Sequence, residues 1–279
     1  MSAPDSVLVL PKGLGDVDAA FMTTVLRQSS VISPTNEVVS LEESGVGITA
    51  GYFSAIKRVK CAYTEATSAP TSFIVKAWPA YELLPREAIR AMFVKDVKSY
   101  HFPAARFYPH PIAYLAASDP LTDRFALVME DANTFAEQKI HERELDLDEV
   151  MRMLPKLVDV AVAWEGCHEG DKAVQLAELG VELWASEANL TLYKNVMPGG
   201  ARLFDRLTTM AESNLIGALT WDRYLGGPGI CELFTRKIDA FFRHAKPEHG
   251  ATCTLSHGDL RGDNIFFCDP CSSYPDGWL

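Results

Sequence analysis

The sequence predicts an α+β protein in which strands and helices are segregated along the chain. Short stretches rich in β-branched and aromatic residues fall within the first 130 residues, with two helical stretches among them. An abrupt apolar-to-acidic step, Leu127-Val128-Met129-Glu130-Asp131, follows, and most of the remainder carries helical periodicity. Near the C-terminus a polar loop, set between apolar residues, interrupts the helical run at Leu255 to Phe267. The expected division is an N-terminal lobe at 1–130 and a helical lobe at 131–279 that carries this loop.

In chain order, Asp16 to Gln28 has helical spacing, with Val17, Ala20, Phe21, Thr24 and Val25 on one side, and Ser33-Pro34-Thr35-Asn36 breaks it. Val38 to Leu41 reads as a strand, and Tyr52 to Tyr63 as a second. Between them lies a glycine-rich turn with Gly45, Gly47 and Gly51. Glycines let backbone amides approach a phosphate closely, although a plain hairpin turn has the same composition. No helix follows the turn and no Gly-Lys-Ser/Thr ends it, so neither a dinucleotide fingerprint nor a Walker loop fits.

Ser72 to Trp78 reads as a strand with Lys76 inside it, on the face of Ile74. A lysine in an apolar strand costs stability unless it is paired or reaches outward. It is therefore either an edge-strand lysine or a phosphate-binding one, and the second use needs an acidic partner. Glu87 to Tyr100 is a helical stretch with Ile89, Met92, Phe93, Val97 and Tyr100 recurring at three- and four-residue spacing. Glu87 sits at its start, where it can serve the helix dipole, whereas Asp96 borders the apolar stripe and is the preferred partner. Phe107 to Tyr114 reads as a Pro- and aromatic-rich connection, and Phe125 to Met129 as a buried strand. Helices are expected at 146–164, 171–195, 200–215 and 229–245, with glycine breaks at Gly199-Gly200 and Gly226 to Gly229.

The loop itself reads His257-Gly258-Asp259-Leu260-Arg261-Gly262-Asp263-Asn264-Ile265-Phe266-Phe267. Asn264 follows Asp259 by five residues, the spacing of a kinase catalytic loop. An Asp there accepts the proton of an attacking hydroxyl, and the Asn holds a metal ion on the phosphates. From average residue usage, His-Gly-Asp-x4-Asn arises by chance about once in 10⁶ positions.

Composition narrows the function classes. A net charge of −11, from 37 acidic and 26 basic residues with no long basic run, disfavours nucleic acid and anionic membrane surfaces as partners. No apolar run reaches the roughly 18 residues of a membrane helix. The six cysteines are scattered through a long chain that lacks a basic signal region, which suits reduced thiols and a cytoplasmic location. Cys268-Asp-Pro-Cys271 lacks the second pair that a zinc site needs. The acidic run Glu142 to Glu149 has the character of a solvated helix start, and a cationic substrate is the other use for it.

Taken together, Gly45 to Gly51, Phe73-Ile74-Val75-Lys76, Phe93-x-x-Asp96-x-x-x-Tyr100, the Met129-Glu130-Asp131 step and the His257 to Phe267 loop resemble the aminoglycoside- and choline-kinase-like phosphotransferases, most closely their ecdysteroid-kinase-like branch. The resemblance implies a protein-kinase-like two-lobe fold, with an antiparallel sheet and helices in the first lobe and a mostly helical second lobe. It implies an ATP- and Mg2+-dependent transfer to a hydroxyl of a small molecule. The glycine turn would cover the phosphates, and Lys76 would contact them, braced by Asp96. Backbone groups of Glu130 and Ala132 would hold adenine, with Met129 lining the pocket. Asp259 would be the catalytic base, Asn264 a magnesium ligand and His257 a support for the loop. Two departures from the family pattern follow. Asp96 stands where the family usually has Glu. The chain also stops at Leu279, before the Ile-Asp-Trp/Phe-Gln motif whose Asp holds the catalytic magnesium. The resemblance therefore implies a C-terminally incomplete chain with impaired transfer, and, as an alternative, a non-catalytic pseudokinase-like protein that binds nucleotide or a partner.

Overall fold

The computed structural model describes residues 8–45, 55–79, 86–102, 107–119, 121–138, 145–181, 186–187, 190–191, 237–240, 242–258, 260 and 264–279. It is an α+β protein built on a five-stranded antiparallel sheet. The strands are β1 (Val38–Gly45), β2 (Ala55–Tyr63), β3 (Ser72–Ala77), β4 (Ala113–Asp119) and β5 (Arg124–Glu130), in the order β1-β2-β3-β5-β4. The chain falls into two compact units, one of residues 1–164 with 255–279 and one of residues 165–254. Residue 130, the expected lobe boundary, lies inside the first unit.

Side-chain alternation gives the sheet two different faces. Val59 and Cys61 of β2, Phe73 and Val75 of β3, and Ala126 and Val128 of β5 form one apolar face. Helix α1 (Ala19–Gln28) covers it with Phe21, Met22, Val25 and Leu26. The helix begins three residues later than the spacing predicts because Asp18 caps it, its carboxylate accepting the Phe21 amide at 2.7 Å. Leu14–Asp16 instead form a short 3-10 turn. The buried stripe is correspondingly shifted, with Met22 and Leu26 buried, Thr24 half-buried and Ala20 exposed.

The opposite face carries Ile74, Phe125, Leu127 and Met129, and helix α2 (Arg86–Ser99) packs there. Ile89, Phe93 and Val97 of α2 are 1%, 4% and 6% exposed, so the four-residue spacing predicts this face. Phe93 stacks on Phe125 at 4.2 Å between ring centroids and meets Trp78 edge-on at 5.2 Å. Met92, read as part of that stripe, is exposed. At the other end of the helix, Asp123 pairs with Arg90 and, at 3.5 Å, with Arg86.

Beyond the sheet, a short ladder joins β6 (Glu137–Gln138) to β7 (Phe266–Phe267). The last residues lie along β7: the Phe266 and Leu279 backbones exchange two hydrogen bonds of 3.0 Å, and Trp278 is 1% exposed. Helix α3 (Leu147–Ala163) starts with a capping box, in which Asp146 accepts the Glu149 amide at 2.8 Å and Glu149 accepts the Asp146 amide at 3.0 Å. These two members of the acidic run thus serve a helix start.

In the second unit, α4 (Gly170–Glu178) is much shorter than the stretch 171–195 predicted as helical. Gly180, at φ +70°, ends it in a Schellman arrangement: Val181 N–H bonds the Leu176 carbonyl at 2.8 Å and Gly180 N–H the Ala177 carbonyl at 2.9 Å. The predicted helix 200–215 lies outside the described residues, and of the one at 229–245, residues 237–240 and 242–244 are described and helical. No helix among the described residues is long and apolar enough to cross a membrane.

Candidate functional site

Lys76 lies on β3 between Ile56 of β2 and Leu127 of β5, in the interior of the sheet. The edge-strand reading of this lysine is thereby set aside, because β1 and β4 are the edges. Its ammonium lies 3.6 Å from Asp96 Oδ2 on α2, with the two side chains 26% and 34% exposed. That distance is an ion pair and exceeds a hydrogen bond. It follows from the α2 packing: Phe93 and Val97 bury the helix on Leu127 and its neighbours, and Asp96 is carried to the rim of the contact. Glu87 is exposed at the helix start.

Beside Ile74 and Lys76 of β3, which lie at the edge of the α2 contact, the same face presents Ile56 and Arg58 of β2, and all four are partly exposed. Below them runs the connector that leaves β5. Met129 is 5% exposed and its sulfur takes the Tyr100 hydroxyl at 3.7 Å. Burial pushes the Tyr100 hydroxyl pKa well up. The Glu130 amide donates to the Ile112 carbonyl at 2.9 Å, and its carboxylate accepts the Ile112 amide at 2.6 Å and the Tyr274 hydroxyl. Burial raises the Glu130 pKa, partly offset by the Ile112 amide. The Ala132 carbonyl accepts from Phe135 at 3.1 Å and Ala136 at 2.8 Å. The Glu130 amide and the Ala132 carbonyl are thus engaged within the protein.

Between them, the Asp131 residue is 3% exposed. Its carboxylate takes Arg58 Nε at 2.6 Å and Nη2 at 3.3 Å, and the Ser72 hydroxyl at 2.6 Å. Burial alone would raise its pKa, but the Arg58 and Ser72 hydrogen bonds and the Arg58 charge outweigh that and hold it below the usual range.

Of the predicted glycine turn, Gly45 ends β1, and Gly47 and Gly51 lie outside the described residues. The candidate base Asp259 also lies outside them, while its flanks are described. Tyr108, within the connection that the sequence predicts, is 7% exposed, and its hydroxyl donates to the Leu255 carbonyl at 3.2 Å. Its ring meets the His257 ring edge-on at 5.2 Å. Burial raises its pKa and a bond to the His257 backbone opposes this. Gly258 has φ +82°, a conformation that disfavours any side chain. Asn264 is exposed, directly before Ile265 at 1% exposure and β7. A buried core residue on one side and the Tyr108 anchor on the other thus fix the two ends of the loop.

Sequence reasoning also missed Lys57, the most buried lysine of the described residues at 6% exposure. Its ammonium donates to the Leu14 carbonyl at 2.9 Å and the Val17 carbonyl at 3.4 Å, and pairs with Glu43. It lies on the α1 side of the sheet and opens onto a hollow of about 310 Å³ lined by Leu14, Gly15, Glu43, Ser44 and Gly45. A second hollow of about 340 Å³ lies between residues 8–12, α1 and Arg124. Neither includes Lys76 or the connector. Among the described residues, no three His, Cys, Asp or Glu side chains gather as a metal-binding group. Comparison with protein-family models, with curated proteins and with solved structures gave no match to this chain.

Proposed function

We propose that this chain is an ATP-dependent phosphotransferase acting on a hydroxyl of a small molecule, with a kinase-like two-lobe fold. The observation that carries the reading is the Lys76–Asp96 pair, a lysine on the third strand of an antiparallel sheet held by a carboxylate of the helix that follows. Protein kinases use a strand lysine and a helix carboxylate in this way to hold the α- and β-phosphates. The open part of the same face, beside a connector that carries Met129, Glu130 and Ala132, supports a nucleotide lying between Lys76 and that connector.

The residues present fit a triphosphate. Lys76 is partly exposed and its ion pair is long, so its remaining N–H donors can meet phosphate oxygens. Asp96 keeps the ammonium oriented. Magnesium, when bound, neutralises charge on the phosphates, and Asn264 is the described residue that would hold it. Asp259 takes the proton of the acceptor hydroxyl, on a loop whose start is fixed by Tyr108 and whose turn depends on Gly258. A small alcohol is the acceptor. A second reading, nucleotide binding without turnover, draws on the 3.6 Å separation of Lys76 and Asp96, which is looser than a hydrogen-bonded brace.

ADP release measured across a panel of small alcohols, with and without Mg2+, tests the proposal. Turnover that needs both Mg2+ and an acceptor, and that disappears in Asp259→Asn, supports it. Nucleotide binding indifferent to Mg2+, with no ADP formed on any acceptor, supports the second reading.

A further inference from the structure

We infer that Asp131, held by Arg58 and Ser72, is a positioning residue for the nucleoside end of the bound nucleotide. The inference rests on the nucleotide site proposed above. Asp131 stands between the two connector residues whose backbone would face a base. Aspartate is rarely buried unless paired, and connectors usually run on the surface. Here the Asp131 carboxylate turns inward and bonds two separate strands, β2 through Arg58 and β3 through Ser72.

Those bonds tie the connector to the frame that carries Lys76. Arg58 stands opposite Ile74, and Ile56 stands opposite Lys76, so all four belong to the half-open face. Ser72 precedes Lys76 on the same strand by four residues, about 13 Å at 3.3 Å per residue. The carboxylate therefore fixes one end of a span on the scale of an extended nucleoside triphosphate, and the lysine marks the other. Stability alone gives no reason for an ion pair at this place, since well-packed apolar residues commonly serve as well. What the pair supplies is geometry: it sets the backbone of Glu130 and Ala132 at a fixed offset from the lysine. Loosening it should weaken recognition of the nucleoside and leave recognition of the polyphosphate intact.

The test is calorimetric titration of the full chain with Mg·ATP and, separately, with Mg·tripolyphosphate. Wild type, Asp131→Asn, Arg58→Lys and the double variant Arg58→Met with Asp131→Leu are compared. The double variant replaces the pair with apolar groups, which keeps the fold when a single change leaves a charge buried, and its unfolding midpoint is recorded beside wild type. The expected result is ATP binding weakened about tenfold, or ~1.4 kcal/mol, in Asp131→Asn and in the double variant. Tripolyphosphate binding stays within about twofold, and Arg58→Lys lies between. Equal weakening toward both ligands, or unchanged ATP binding in a folded double variant, overturns the inference while the nucleotide site stands. Wild type that binds neither ligand overturns the nucleotide site and the inference with it.

Discussion

Lys57 on β2 and Lys76 on β3 stand side by side on adjacent strands and point to opposite faces of one sheet, Lys57 in register with the residue before Lys76. Lys57 is enclosed, with its ammonium meeting two backbone carbonyls and Glu43. Lys76 is a quarter exposed, and among the described residues its ion-pair partner is Asp96 at 3.6 Å. The difference lies in what covers each face. Next to Lys57 the 3-10 turn before α1 brings the Leu14 and Val17 carbonyls down onto the strand, and the buried ammonium donates to both. Next to Lys76 the covering helix lies over β5 and leaves the lysine at its edge. A lysine saturated by its own protein has a structural use; one with donors to spare can take a ligand.

Substitution separates the two. Lys57→Met takes the ammonium from the Val17 carbonyl and from the Leu14 carbonyl, which keeps the Val17 amide at 3.2 Å, and is expected to cost about 1–3 kcal/mol in chemical denaturation. A loss below about 1 kcal/mol would mean that the enclosed pair is not structural. Lys76→Met, on the other face, removes a partly exposed pair and should cost under about 1 kcal/mol.

Two neighbouring carboxyl groups of the connector give a pH contrast of smaller size. Burial raises the Glu130 pKa above its ordinary value near 4.5, so the folded state holds a proton that the unfolded state has already lost. Stability contributed at low pH is therefore lost as pH rises from about that value through the folded pKa. Asp131 has the opposite sign: its folded pKa lies below 3.8, so its contribution is present above that value and lost as pH falls through the folded pKa. Glu130→Gln keeps an acceptor for Ile112 and Tyr274 and removes the titration. The gain of this variant over wild type should grow as pH rises above 4.5, and a gain independent of pH would show that Glu130 is not desolvated in solution.

Much of the sheet was legible because its strands carry apolar, β-branched runs bounded by turns, as in Val59 to Tyr63 or Phe73 to Val75. β4 was not, because Ala-Tyr-Leu-Ala-Ala-Ser-Asp has neither strong strand propensity nor alternation; every residue of it is half-buried, and pairing with β5 makes it a strand. The end of α4 was overlooked although Leu179-Gly180-Val181 carries the glycine signal for it. In the site, the helical stripe that placed Asp96 at its border anticipated the pairing with Lys76 over the pairing with Glu87. Tyr108, Arg58 and Lys57 were invisible because each acts through partners far away in sequence, such as Leu255 for Tyr108 and Asp131 for Arg58. Residue spacing within one segment carries no trace of such pairs.

The central claim is that the Lys76 face, and not the Lys57 face, receives a triphosphate. Titration of Mg·ATP into wild type and Lys76→Met, with unfolding midpoints recorded for both, tests it most directly. The account predicts binding by wild type and at least a tenfold (about 1.4 kcal/mol) loss in Lys76→Met at nearly unchanged stability. ATP affinity that survives Lys76→Met, or a wild type that does not bind the nucleotide, would contradict it.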